Sequence, residues 1–305
     1  MQFWPRKRAN KFLPSVTWSV INSGKNLKGF ICYKAGMVSG FVKDSTADSM
    51  TKGKNIIIPL TILECPPMKI FSVKFYKNRQ VATEILSENL DKELKRKVKI
   101  PKNKGKLKKI SSIKTTEYDD IKILAYSVVK KTELKKTPDL IEIGLQGSIE
   151  DKLKFINDNL TKEISILDCF EKGELVDLRG LTKGKGFSGP VKRFGIQLKV
   201  SKSEKGRRRP GSLGPWHPAR VTFRAPMAGQ LGMFTRVIYN NKIIEIRKSS
   251  EHPIKNIKNY GNVKTEYILV YGSVQGVAKR QLIITKPLRQ SKKQIKKNYE
   301  LIEIR

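Results

Sequence analysis

Apolar positions in this chain come in short runs, separated by long stretches that hold almost none. Ile56 to Glu64 and Ile70 to Tyr76 are dense in β-branched and aromatic residues and are split by Pro66-Pro67, so both predict strands. From Ile70 to Tyr76 the chain alternates, with Ile70, Ser72, Lys74 and Tyr76 against Phe71, Val73 and Phe75, which predicts a half-buried strand. Phe30 to Tyr33 and Phe41-Val42 predict two more strands with a turn around Gly36 and Gly40. Ile121 to Lys130, Leu140 to Leu145, Glu174 to Leu181, Val237 to Ile246 and Tyr267 to Ile284 carry the same strand texture, and Ile164 to Phe170 a short turn element. Two segments follow the other period. Ile149, Leu153, Phe155, Ile156 and Leu160 predict a helix, with Glu150 and Asp151 at the end where the helix dipole favours negative charge. Ile85, Leu86, Leu90 and Leu94 are spaced for one face of another.

Elsewhere the pattern fails, and charge takes over. Residues 1–26 contain Arg6, Lys7, Arg8 and Lys11 and no acid, with Trp4 and Trp18 interrupting a polar stretch, and read as an extended arm. Lys95 to Lys114 holds ten Lys or Arg and no acid. Residues 181–236 hold thirteen Lys or Arg, nine Gly, five Pro and one acid, Glu204. Apolar residues are too scattered there to offset the ordering entropy by burial. The chain ends in a basic tail from Lys286 to Arg305.

Summed over 305 residues, 63 Lys and Arg against 27 Asp and Glu leave a formal charge of +36. Such an excess repels itself unless an anionic partner neutralises it, which favours a nucleic-acid binder with a folded body and long basic excursions. Hydrophobic residues, at 38%, suffice for a core in part of the chain only. No aliphatic run exceeds three residues, as at Ile56-Ile57-Ile58, so no membrane span is expected, and the opening residues lack the apolar region of a secretory signal. Cys32, Cys65 and Cys169 lie far apart with only His217 and His252 for company, which predicts reduced core thiols and no metal site.

Gly184-Lys185-Gly186-Phe187-Ser188-Gly189 matches a dinucleotide-binding fingerprint, yet Pro190 follows, no helical period comes after it, and the window near residue 205 is basic where an acid is required. Those glycines fit a backbone lying close to phosphates. In Arg207-Arg208-Arg209 the lysine-rich chain switches to the side chain that makes planar, bidentate phosphate contacts. Trp216-His217-Pro218 places an indole in the most cationic region, suited to stacking on a base; a satellite core with Val221, Phe223 and Met227 is the alternative. Trp4 and Trp18 carry weaker versions of the same choice. With no helix-turn-helix, zinc finger or basic zipper in view, irregular Gly-rich arms suit threading through a large folded RNA.

Phe3-Trp4-Pro5-Arg6-Lys7-Arg8, Gly29 to Met37, Leu181 to Phe194, Gly211 to Val221 and Ala228-Gly229-Gln230 together resemble the large-subunit ribosomal protein L3 family in its archaeal/eukaryotic form. The resemblance spans nearly the whole chain and is weakest at 80–140 and the tail. It implies a mainly β fold with some helix: a six-stranded, translation-protein type (Src-homology-3-like) β-barrel with long irregular basic extensions. It also implies an N-terminal arm and a central extension within ribosomal RNA, with the Trp216-His217 loop near the aminoacyl-tRNA side of the peptidyl-transferase centre, and a part in starting subunit assembly. Some eukaryotic members carry a methylated histidine twelve residues before that tryptophan; Glu204 stands here instead, so that modification is not expected.

The organisation expected is an arm at 1–26, a barrel body at 27–82, 118–182 and 237–288, a basic helical or irregular insertion at 83–117, an RNA-threading extension at 183–236 and a tail at 289–305. Expected RNA contacts are Arg6, Lys7, Arg8, Lys183, Lys185, Lys192, Arg193, Arg207, Arg208, Arg209, Trp216, His217, Arg220, Arg224 and Arg236. The expected partners are large-subunit ribosomal RNA and neighbouring ribosomal proteins in the cytoplasm, with no membrane, cofactor, metal or small-molecule substrate. An RNA-modifying enzyme would need a cofactor loop or a nucleophile with a positioned base, and neither is visible. A DNA-compacting protein is the third class, separable by its preference among nucleic acids.

Overall fold

A computed structural model describes residues 3–22, 26–101, 117–202 and 205–305. It divides into two compact units, one of Met1–Phe12 with Leu181–Arg236 and a larger body of Leu13–Gly180 with Val237–Arg305. The chain is mainly β. In order come β1 (Gly29–Asp44), β2 (Asn55–Cys65), β3 (Met68–Lys77), β4 (Gln80–Leu86), β5 (Asp120–Ser127), β6 (Leu140–Gly144) and the helix α1 (Ile149–Asn159). Then follow β7 (Leu175–Leu181), β8 (Phe187–Ser188), α2 (Pro190–Phe194), β9 (Gly229–Gln230), β10 (Thr235–Arg247), β11 (Glu266–Tyr271), β12 (Gln281–Thr285), α3 (Lys292–Lys296) and β13 (Tyr299–Ile304).

One sheet runs β12-β7-β10-β11-β2-β1-β13, and β1 also pairs with β12, so six of its strands close into a ring. Closure depends on the length of β1. Its first residues, Gly29 to Tyr33, pair with β12, its last, Gly40 to Asp44, with β13, and most of its length with β2. The expected turn at Gly36 and Gly40 is absent. The glycines instead permit close approach: a Cβ at Gly36 would lie 2.7 Å from the Ile257 side chain, and one at Gly40 would overlap Leu60. The expected basic tail likewise ends as a paired strand, because Tyr299, Leu301 and Ile304 pack against a small cluster that holds Leu60 and Tyr267.

A second sheet, β4-β3-β5-β6, shares the main core with the first. The expected alternation in β3 is interrupted. Ile70 pairs with Ala125 and Ser72 with Leu124, so Phe71 is an extra residue in a bulge. The bulge shifts the phase: Ile70 joins Val73 and Phe75 in the main core, while Phe71 enters a separate cluster with Leu94 and Tyr126. Both faces are thus covered, and the strand is more than half-buried.

Two further expectations change. Ile85 and Leu86 belong to β4, and Lys92–Arg96 is a 3-10 turn rather than part of one amphipathic helix; Leu94 is nevertheless fully buried. The rest of the expected insertion, at 102–116, lies outside the described residues, as does Glu204. The N-terminal arm is not uniform, since Leu13, Trp18 and Ile21 are buried in the main core. Trp18 has a seat there because Gly29 and Gly144 carry no side chain: a Cβ on either would fall within 2.7 Å of the indole residue. The helix α1 forms where its periodicity places it, between a Ser148–Asp151 capping box and Asn159, with Ile156 fully buried. All three cysteines are buried and free, and burial pushes the Cys169 thiol up to about 12.

The body also buries charge, always with partners. Glu64 accepts hydrogen bonds from the Tyr260 hydroxyl, the Lys264 amide (2.8 Å) and the amide and hydroxyl of Thr265 (3.0 and 3.1 Å). Asp177 accepts from the amides of Asn240 (2.9 Å) and Leu288 (3.1 Å). These ties fix loops to strands and, at Asn240, one strand to another, the use of a buried carboxylate that offsets its desolvation.

Candidate nucleic-acid interface

Every residue expected to contact RNA lies in the smaller unit. No acidic side chain occurs among that unit's described residues; its one acid in sequence, Glu204, lies outside them. The body differs, and carries ion pairs such as Lys69–Asp91 (3.1 Å), Lys152–Asp120 (2.6 Å) and Lys131–Glu163 (2.5 Å).

The unit is held mainly by backbone. β8 pairs with β9, Phe187 opposite Gln230 and Ser188 opposite Gly229. Around this short ladder, the Lys185 amide donates to the Leu231 carbonyl (2.9 Å), Leu231 to Gly186 (2.9 Å), Thr182 to Phe234 (3.0 Å) and Ala9 to Met233 (3.0 Å). The two chain segments approach so closely that a Cβ at Gly232 would overlap the Lys183 carbonyl, and Gly232 has φ +80°, where side chains are strained. A one-turn helix does follow the Gly184–Gly189 motif. Pro190 sits at its first turn with φ already set, and Gly195 ends it in the left-handed region.

Arg193 on α2 is the hub. Its guanidinium donates to the carbonyls of Gln230 (3.0 Å), Met227 (2.9 Å), Ala228 (3.4 Å) and Arg6 (3.0 Å). Arg6 returns a bond to the Arg193 carbonyl (2.5 Å) and lies 4.3 Å from the centre of the Phe194 ring. Burial, and then the neighbouring Arg6 charge, lower the Arg193 pKa. The donors of Arg193 that a phosphate would use are therefore engaged in holding the fold. Arg236 is half-buried, 4.2 Å from the Phe3 ring and 5.4 Å from Phe234.

The other expected contacts face outward. Lys7, Arg8, Lys183, Lys185, Lys192, Arg207, Arg208, Arg209, His217, Arg220 and Arg224 are exposed. Trp216 is 87% exposed, in a loop from Leu213 to Val221 whose Val221, with the nearby Phe223 and Met227, is exposed as well. A satellite core around this indole is absent. Trp4 is 56% exposed and rests against Phe223, ring centres 4.2 Å apart. Trp18, buried in the body, takes no part.

Exposed aromatic rings are what the sequence reading missed. Phe187 is 81% exposed, and Phe3 and Phe223 each more than half. In water these rings gain nothing from exposure; beside the unit's cations they form a surface suited to bases and phosphates together. The available signal was the interleaving of Phe with Arg in segments nearly free of acid.

The ribosomal protein L3 family profile matches residues 1–305. The chain is 36% identical to the large ribosomal subunit protein uL3 of Methanocaldococcus jannaschii, over 97% of this chain and 92% of that one. It is 37% identical to the protein of that name from Methanobrevibacter smithii (95% and 91% covered) and 38% identical to that from Methanosphaera stadtmanae (96% and 91%). With the match running from the first residue to the last, the chain belongs to the ribosomal protein L3 family.

Proposed function

We propose that this ribosomal protein is a constituent of the large ribosomal subunit that binds ribosomal RNA through the unit of residues 3–12 and 181–236. It supports subunit assembly, and its Trp216-His217 loop shapes the aminoacyl-tRNA side of the peptidyl-transferase centre without doing chemistry. The observation that carries this reading is the gathering of exposed Lys, Arg and aromatic side chains into one unit whose described residues include no acid. The relatives, all large ribosomal subunit proteins by name, support the location. The closed ring of six strands supports assigning the body to the translation-protein type, Src-homology-3-like barrels, with the basic segments as its extensions. Neighbouring ribosomal proteins are the other partners, and the cytoplasmic ribosome is the site of action.

Affinity for folded large-subunit RNA and for duplex DNA, measured at matched salt, tests the reading. A large preference for the RNA is expected, with affinity falling about 0.7–0.9 log units per log unit of salt for each phosphate engaged. Equal binding to both would make the chain a general nucleic-acid compactor instead.

A further inference from the structure

A cavity of about 370 Å³ opens in the smaller unit, between residues 3–10 and Phe234–Arg236. Its volume lies at the low end of the ~300–1,000 Å³ typical of small-molecule sites, which suits a single nucleotide rather than a duplex groove. Its wall combines rings from Phe3, Trp4 and Phe234 with cations from Arg6, Arg8 and Arg236. No acid lines it.

The wall is pre-arranged. Arg236 is held 4.2 Å from the Phe3 ring, and its guanidinium donates to the Thr235 carbonyl at 2.8 Å. Arg6 is fixed by the Arg193 carbonyl and the Phe194 ring. Trp4 is backed by Phe223 while more than half of its surface stays open. A planar guanidinium and large rings held in place before binding provide stacking surfaces at low entropic cost, and base stacking tolerates any base because each has a π-face.

We propose that this cavity receives one unstacked nucleotide of the bound RNA, its base on the Trp4, Phe3 and Arg236 surfaces and its phosphate beside Arg8. The inference rests on the RNA-binding reading above and adds to it a defined single-nucleotide site.

The test uses the full chain bound to a large-subunit RNA transcript. Ultraviolet crosslinking and peptide mass mapping should place a mononucleotide adduct on the peptide containing Phe3 and Trp4 or on Phe234. Arg236→Lys keeps the charge and removes the planar surface, so affinity should fall by roughly five- to a hundredfold at an unchanged salt slope. Trp4→Ala should lose the adduct. Should Trp4→Ala also lower the melting temperature of the free protein, Arg236→Lys decides alone. Unaltered binding by Arg236→Lys, with adducts confined to other segments such as the Trp216 loop, overturns the cavity site and leaves the RNA reading intact. Absence of any preference for the large-subunit transcript removes both.

Discussion

Glu64 and Trp216 mark opposite ends of what one side chain does in this protein. Glu64 is fully buried and satisfies four donors at once. Glu64→Ala would strand the Tyr260 hydroxyl and two amides, each a loss of about 1–3 kcal/mol. The variant should lose roughly 3 kcal/mol or more of unfolding free energy in urea, with the m-value unchanged; a loss under about 1 kcal/mol would show that water replaces the carboxylate. Trp216 touches little of the protein. Trp216→Ala should leave the melting temperature of the free protein within about a degree, while RNA binding weakens by the ~1–3 kcal/mol of a stacked base. A large fall in melting temperature would assign the indole to packing. The exposed charged residues were legible from composition, because solvated cations need no tertiary context. The partners of Glu64 were not: Tyr260, Lys264 and Thr265 reach it across some two hundred positions.

At the scale of elements, local rules held where an element is stabilised by its own neighbours in sequence. The α1 helix is the clear case, with periodicity, acids and capping box in one stretch. Ser148→Ala should cost about 1 kcal/mol, detectable as faster amide exchange in its first turn. Some elements positioned by distant partners were misread, although strands such as β2 and β7 were predicted at close to their observed bounds. β1 looked like two strands around a glycine turn, but its glycines answer to Ile257 and Leu60. In the smaller unit, Gly232→Ala would set a Cβ against the Lys183 carbonyl in a left-handed conformation. We expect a local cost of at least about 2 kcal/mol, read as exchange at the Lys185 and Leu231 amides accelerated roughly thirtyfold or more. Unchanged exchange there would mean the two strands part without loss.

For the whole molecule, charge and protons set the conditions of stability. Tyr33 and Tyr260 both have pKa values raised by burial, and then by Asp139 and Glu64 respectively. The folded chain therefore keeps protons that the unfolded chain releases near pH ~10. Their contribution is fully present below that pH and is lost as pH rises from it towards the higher folded values. Alkaline titration should show the body losing stability above pH ~10, with a shallower loss in Tyr260→Phe; an equal slope would show that Tyr260 ionises in the folded state. Electrostatics in the smaller unit predicts a protease pattern. Trypsin should cut the free protein first at the exposed Arg207-Arg208-Arg209, and bound RNA should protect those bonds. Cleavage that is indifferent to RNA would place the arginines outside the interface.

The sequence by itself determined that the chain has a strand-rich part with a core and basic segments nearly free of acid, and pointed to an anionic partner, because burial, period and net charge are sums over residues. It also nominated the contact residues, since Arg, Lys and Trp carry their chemistry wherever they sit. Only the tertiary structure decided which of those residues are engaged inside the protein. Arg193 directs its donors to four carbonyls, and Trp18 is enclosed by two glycines of separate strands. The bulge at Phe71, the strand at Tyr299–Ile304 and the cavity beside Trp4 were likewise invisible beforehand. Each depends on which segments meet across long sequence separations, and no local pattern of hydrophobic and polar positions encodes that meeting.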